Sequence, residues 1–136
     1  MIVPMFTMVI LTLIIAGIAL KARFVCVRSR QVGLDYFRLM GANTSSQAPE
    51  NVITTTRAFS NMFEIPVLFY VIATLAIAMD QVTPYSLVLA WSFVISRCIH
   101  TWIHLTYNNV IHRMHAFWVG IIFILAMWIE QLINFL

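Results

Sequence analysis

Three polar residues, Arg57, Asn61 and Glu64, lead into the apolar run Ile65-Pro66-Val67-Leu68-Phe69-Tyr70-Val71-Ile72-Ala73. Spacings of four and three put all three on one face of a helix. Ionisable groups at membrane depth are costly, about 2.5–3.5 kcal/mol each at a helix centre on insertion scales, so they turn to a bundle interior or a watery cavity. A second stripe repeats the logic: Arg97, His100 and His104 are spaced three and four apart, with Tyr107 about one turn further on. Arg113 follows. Three guanidiniums with one glutamate and one asparagine make a site with surplus positive charge. Such a site suits an anionic ligand, because guanidinium binds carboxylate bidentately and stays ionised when partly desolvated. The structural alternative is an ion pair of Glu64 with Arg57 or Arg97 that joins helices, helped by an Asn61 hydrogen bond. One glutamate cannot neutralise three arginines, which weakens that alternative for the set.

The elements that must position these residues follow from composition. The chain has 136 residues, 62% hydrophobic and only 10% charged, and its mean hydropathy is +0.92. Such a chain cannot cover itself with polar surface as a soluble domain of this size must. Crossing a hydrocarbon core of about 30 Å takes about 20 residues at about 1.5 Å each. Four segments qualify, with helices expected at about 2–20, 52–79, 85–107 and 113–136. The first lacks a positive leader and a small-residue cleavage site, so it reads as a retained helix rather than a signal peptide. Asp80, Gln81, Thr83 and Pro84 form a short link between the second and third spans, and Asn108-Asn109 signals the turn between the third and fourth. The longest connection, from Lys21 to about Pro49, carries Gly33, Gly41 and a polar stretch through Gln47. No repeat divides the chain. The expectation is one domain over residues 1–136, an all-α integral membrane protein folded as a four-transmembrane-helix up-down bundle.

Basic residues set the orientation. Lys21, Arg23, Arg28, Arg30 and Arg38 lie in the first connection, whereas the second has no Lys or Arg. The positive-inside tendency therefore puts the first and third connections in the cytoplasm and both termini on the far side, periplasmic in a bacterial inner membrane. All the polar stripes then converge at the cytoplasmic level, Arg113 included. The net charge of +3 is accounted for by topology, and no nucleic-acid partner is expected.

Cys26 and Cys98 fall near the reducing side, so neither a disulfide nor a thiolate metal site is expected. His100 and His104 have the spacing of a metal pair on one helix, with His112, His115 and Glu64 nearby. A histidine-ligated metal or haem is the rival reading from another class, opposed by arginines that repel a cation; no metal site is assigned. Tyr85, Trp91, Trp102, Tyr107, Trp118 and Trp128 read as interfacial anchors and packing.

These residues carry a resemblance. Arg57-Ala58, Asn61, Glu64 and Pro66 followed by Leu68-Phe69, together with Arg97, His100 and Arg113, resemble the MAPEG family, the membrane-associated proteins in eicosanoid and glutathione metabolism. The likeness covers about residues 50–125. It implies a homotrimer with glutathione as cofactor, bound between neighbouring subunits near the cytoplasmic face. Carried onto this sequence, it implies that Arg57, Asn61, Glu64, Arg97 and His100 hold glutathione, with His104 and Tyr107 beside them, and that catalytic Arg113 lies near the sulfur and favours the thiolate. It further implies a transferase or peroxidase acting on lipophilic electrophiles or hydroperoxides, with membrane lipids and a lipophilic small-molecule substrate as partners. A non-catalytic subunit of a membrane complex is the alternative within the same fold. Where the glutathione-using members commonly have a tyrosine this chain has His104, and Ser60 stands where some have arginine.

Overall fold

A computed structural model describes residues 1–31, 36–37 and 48–136. Gly33, Arg38, Gly41 and the polar stretch through Gln47 lie outside the described residues. Within them the chain forms α1 (Ile2–Arg28), α2 (Glu50–Ser60), a 3-10 turn (Asn61–Phe63), α3 (Ile65–Ala78), α4 (Pro84–Leu105) and α5 (Val110–Phe135). Taken as one span, α2, the turn and α3 join α1, α4 and α5 as four helical segments long and apolar enough to cross a membrane. The protein is an all-helical membrane bundle.

Local chemistry explains each boundary. Past Leu20, where the apolar run ends, α1 continues to Arg28 and closes with Arg30 in the left-handed region (φ 56°). The Arg30 amide donates to the Val27 carbonyl at 3.0 Å and the Gln31 amide to Cys26 at 3.2 Å, the paired bonds of a Schellman ending. Asp80 (φ 54°) ends α3 in the same way. Thr83 and Ser86 form a reciprocal capping box at the start of α4, with Pro84 at the first helical position. The Asn109 side chain caps α5 by accepting from the amides of Ile111 and His112.

The second span departs from the expected continuous helix. Pro66 has no amide to donate to Met62 and disfavours helical geometry at the residue before it. The chain answers with the 3-10 turn and a break at Glu64 (φ −96°, ψ −96°) before α3 begins.

The main core is one seam, with a smaller cluster of Cys26, Ala48 and Val52 where α1 meets α2. Met8 and Ile15 of α1, Phe69 and Ile72 of α3, Phe93 of α4 and Ile124 of α5 are all buried within the seam. The Phe69 and Phe93 rings stand 4.8 Å apart. At the end away from the polar stripes, Thr83 bonds Glu130 and Gln81 bonds Gln131, tying the α3–α4 link to the last turns of α5. The other faces carry large exposed apolar side chains, among them Phe6, Leu13, Val88 and Ile122, as a bilayer solvent requires.

Among the described residues α4 and α5 share the most extensive helix contact. The pair meets at Gly120, where a Cβ would lie 2.9 Å from Ser96 Oγ and 3.6 Å from the Phe93 ring. The branched side chain of Gly120→Val would force the pair apart. Destabilisation of about 1–3 kcal/mol in a denaturing-detergent titration is expected, the scale of overpacking a filled core. Ser96→Ala, which removes the obstructing oxygen, should recover part of the loss; an unchanged midpoint for Gly120→Val would mean that the pair packs more loosely than described.

Candidate functional site

The break in the second span and the middle of α4 meet at Arg97. This arginine is completely buried, and its Nη2 donates to the Asn61 backbone carbonyl at 3.4 Å. A continuous helix would have committed that carbonyl to the amide four residues on; the irregular turn leaves it for Arg97. The guanidinium carbon also stands 5.9 Å from the centre of the Phe117 ring on α5, a cation–π separation. Its Nε and Nη1 are buried and have no hydrogen-bond partner among the described residues.

One and two turns along α4 come His100 and His104, both buried, with their rings edge to face at 5.9 Å. Phe117 lies 6.1 Å from His100 as well. His104 Nε2 is 3.3 Å from Arg113 Nη1. A guanidinium only donates, so Nε2 accepts and the proton of the neutral ring sits on Nδ1. That Nδ1 is also buried without a partner among the described residues. Arg113 Nη1 donates at 2.8 Å to Asn108 Oδ1, and Asn108 holds the left-handed turn between α4 and α5 (φ 46°), a conformation asparagine tolerates well.

Arg97, His100, His104 and Arg113 are therefore one cluster. Arg57 and Glu64 stand on the second span on either side of Asn61, whose carbonyl meets Arg97. Both are exposed on the single chain, and Asn61 is half-buried. Glu64 does not partner the free nitrogens of Arg97, so the ion pair weighed as structural glue for Arg97 is not formed.

Tyr107 departs from the expected arrangement. Helix α4 ends at Leu105 rather than at 107, and the backbone of Thr106 (φ −106°, ψ −96°) redirects the chain. Tyr107 is exposed, and its hydroxyl lies 3.2 Å from His112 Nδ1, away from His104. The metal reading gains no support. His104 Nε2 faces the Arg113 guanidinium, and among the described residues no group of three or more His, Cys, Asp or Glu could hold a metal ion.

Two members of the cluster escaped the sequence reading. In sequence Asn108 reads as a turn signal, whereas in the structure its side chain holds Arg113. Phe117 carried no signal beyond its place one turn after Arg113.

A separate groove of about 500 Å³ runs along the α4–α5 seam, lined by Ile95, Ile99, Ile103, Ala116, Val119 and Phe123 among others. Its chemistry suits an apolar molecule, and it does not include Arg97, His100 or His104.

No curated protein and no solved structure matches the chain. The model of the MAPEG family matches residues 1–133, nearly its whole length, and the chain belongs to the MAPEG family.

Proposed function

We propose that the protein is a glutathione-dependent membrane transferase or peroxidase acting on lipophilic electrophiles or hydroperoxides. Membership in a family that includes glutathione transferases and peroxidases supports the class. The observation that carries the reading for this chain is the set of buried, unpartnered positions: Arg97 Nε, Arg97 Nη1 and His104 Nδ1. All are donors. A buried donor left unpaired costs about 1–3 kcal/mol, more when charged, so an acceptor-rich anion is the missing complement. Glutathione brings two carboxylates and one ammonium, and the exposed Glu64 is the anionic partner for the latter. Near Arg113, a thiol that is mostly protonated at neutral pH would shift toward the thiolate, the nucleophilic form. The apolar α4–α5 groove would admit the second substrate from the bilayer.

The exposure of Arg57 and Glu64 within a membrane span also bears on assembly. Charged side chains do not face lipid without cost, so a neighbouring copy covering that stripe is the reading we favour, with a homotrimer as the closed form. By the distribution of basic residues the site faces the cytoplasm of an inner membrane and both termini face the periplasm.

Calorimetry with glutathione and an unreactive S-alkyl analogue tests the proposal. The parent protein is expected to bind both. Glu64→Gln and Arg57→Ala should each weaken binding about tenfold or more while leaving the oligomer intact, the scale of one hydrogen bond to a charged group. Parent-like affinity in both variants would make the stripe structural. No binding by an intact oligomer would favour a non-catalytic accessory subunit.

A further inference from the structure

Outside the cluster around Arg97, a second polar site lies where α1 leaves its apolar run. Arg23 Nη2 donates to Thr56 Oγ1 on α2 at 3.2 Å. The Arg23 Nε is buried and has no partner among the described residues. A pocket of about 160 Å³ opens beside this pair, lined by Arg23, Thr56, Arg57 and Tyr36 together with apolar residues. It brings two guanidiniums, an aliphatic hydroxyl and a phenol together, and among the described residues no carboxylate lines it. On the other flank of Arg23 is an apolar groove of about 180 Å³, formed by Leu20, Phe24, Val27 and Phe37 with Arg23 itself. Arg23 and Phe37 line both hollows, so the polar pocket and the apolar groove meet at one side chain.

The level of this site in the bilayer follows from the sequence. The apolar run of α1 ends at Leu20, and Lys21 and Arg23 begin the basic stretch. At about 1.5 Å per residue, Arg23 stands about 4.5 Å beyond Leu20 along the helix. There hydrocarbon gives way to headgroups.

We infer that the end of α1 and the start of α2 bind an anionic phospholipid, with Arg23 and Thr56 on the phosphate and the Leu20–Phe24–Val27 face of α1 along an acyl chain. Guanidinium forks match phosphate oxygens geometrically. Two cations, with no carboxylate beside them among the described residues, favour a net negative headgroup over a zwitterion, whose own ammonium they would repel. The adjoining apolar groove distinguishes a lipid from glutathione, which has no chain to fill it. Arg57 is shared with the stripe assigned above to glutathione; Arg23 and Thr56 are not, and they carry the test.

Native mass spectrometry of the protein in a nonionic detergent, titrated with dioleoyl phosphatidylglycerol or dioleoyl phosphatidylcholine, reads the preference directly. Retention of phosphatidylglycerol at about tenfold lower concentration than phosphatidylcholine is expected for the parent. Arg23→Gln should abolish most of that preference and Thr56→Val reduce it severalfold, with glutathione affinity unchanged in both. Arg23→Lys, which keeps the charge and loses the fork, should fall between and serves if Arg23→Gln does not fold. Excess glutathione should leave the phosphatidylglycerol adduct in place. Equal retention of the two lipids, or an undiminished preference in the Arg23 variants, would overturn the site. Displacement of the lipid by glutathione would reassign the pocket to the tripeptide.

Discussion

Arg97→Met is expected to weaken glutathione binding by about a hundredfold or more, and yet to leave the ligand-free protein as stable as the parent or up to about 1–4 kcal/mol more stable. The two halves have one cause. In the free protein Arg97 is wholly buried, its hydrogen bonding is a 3.4 Å contact to the Asn61 carbonyl, and two of its nitrogens have no partner among the described residues. Replacing such a buried charge by an apolar side chain of similar length removes a desolvation penalty, and comparable exchanges are often neutral or stabilising. In the complex the same guanidinium would face a carboxylate, and removing one partner of a desolvated charge pair costs about 2–5 kcal/mol. Calorimetry for the ligand and a denaturing-detergent titration for the free protein separate the two quantities. A destabilised Arg97→Met protein with unchanged affinity would show that this arginine holds the bundle together and does not bind the substrate.

For Arg113→Ala the expected loss is in chemistry rather than in binding. Glutathione affinity should stay near that of the parent, while turnover with a generic electrophile at neutral pH falls about a hundredfold, the scale of losing one electrostatic catalyst. The sign with pH follows from the charge. A guanidinium beside the sulfur favours the thiolate and lowers the thiol pKa; without it the pKa returns toward about 8.5, so the thiolate is scarce at neutral pH and plentiful above pH 9. The deficit of the variant should therefore shrink as pH rises, and the ultraviolet thiolate signal of the bound tripeptide should move to higher pH in parallel. His104→Tyr should preserve or raise turnover, since a phenol oxygen can accept from Arg113 as the imidazole Nε2 does at 3.3 Å. Unchanged thiolate signal and turnover in Arg113→Ala would place the activating role on another residue.

What the sequence determined by itself was everything that depends on order and composition. Four spans and the family follow from apolar run lengths and from the register of Arg57, Asn61, Glu64, Arg97, His100 and Arg113, because hydropathy and helical spacing are properties of the chain read in one dimension. The meeting of Arg97, His100, His104 and Arg113 was legible for the same reason, once short links forced neighbouring helices to be antiparallel. Tertiary structure decided the rest. Spacing placed Asn61 on the stripe as a side chain, yet it is the Asn61 carbonyl that reaches Arg97, since the missing amide of Pro66 breaks the helix and releases backbone groups that a helix would have used. Tyr107 continues the face of α4 in sequence, but the helix stops at Leu105 and the tyrosine turns to His112. Asn108 looked like punctuation and became the residue that fixes Arg113. Backbone groups and helix ends carry no periodic signal, so which partner each polar group finds was settled only when the helices packed.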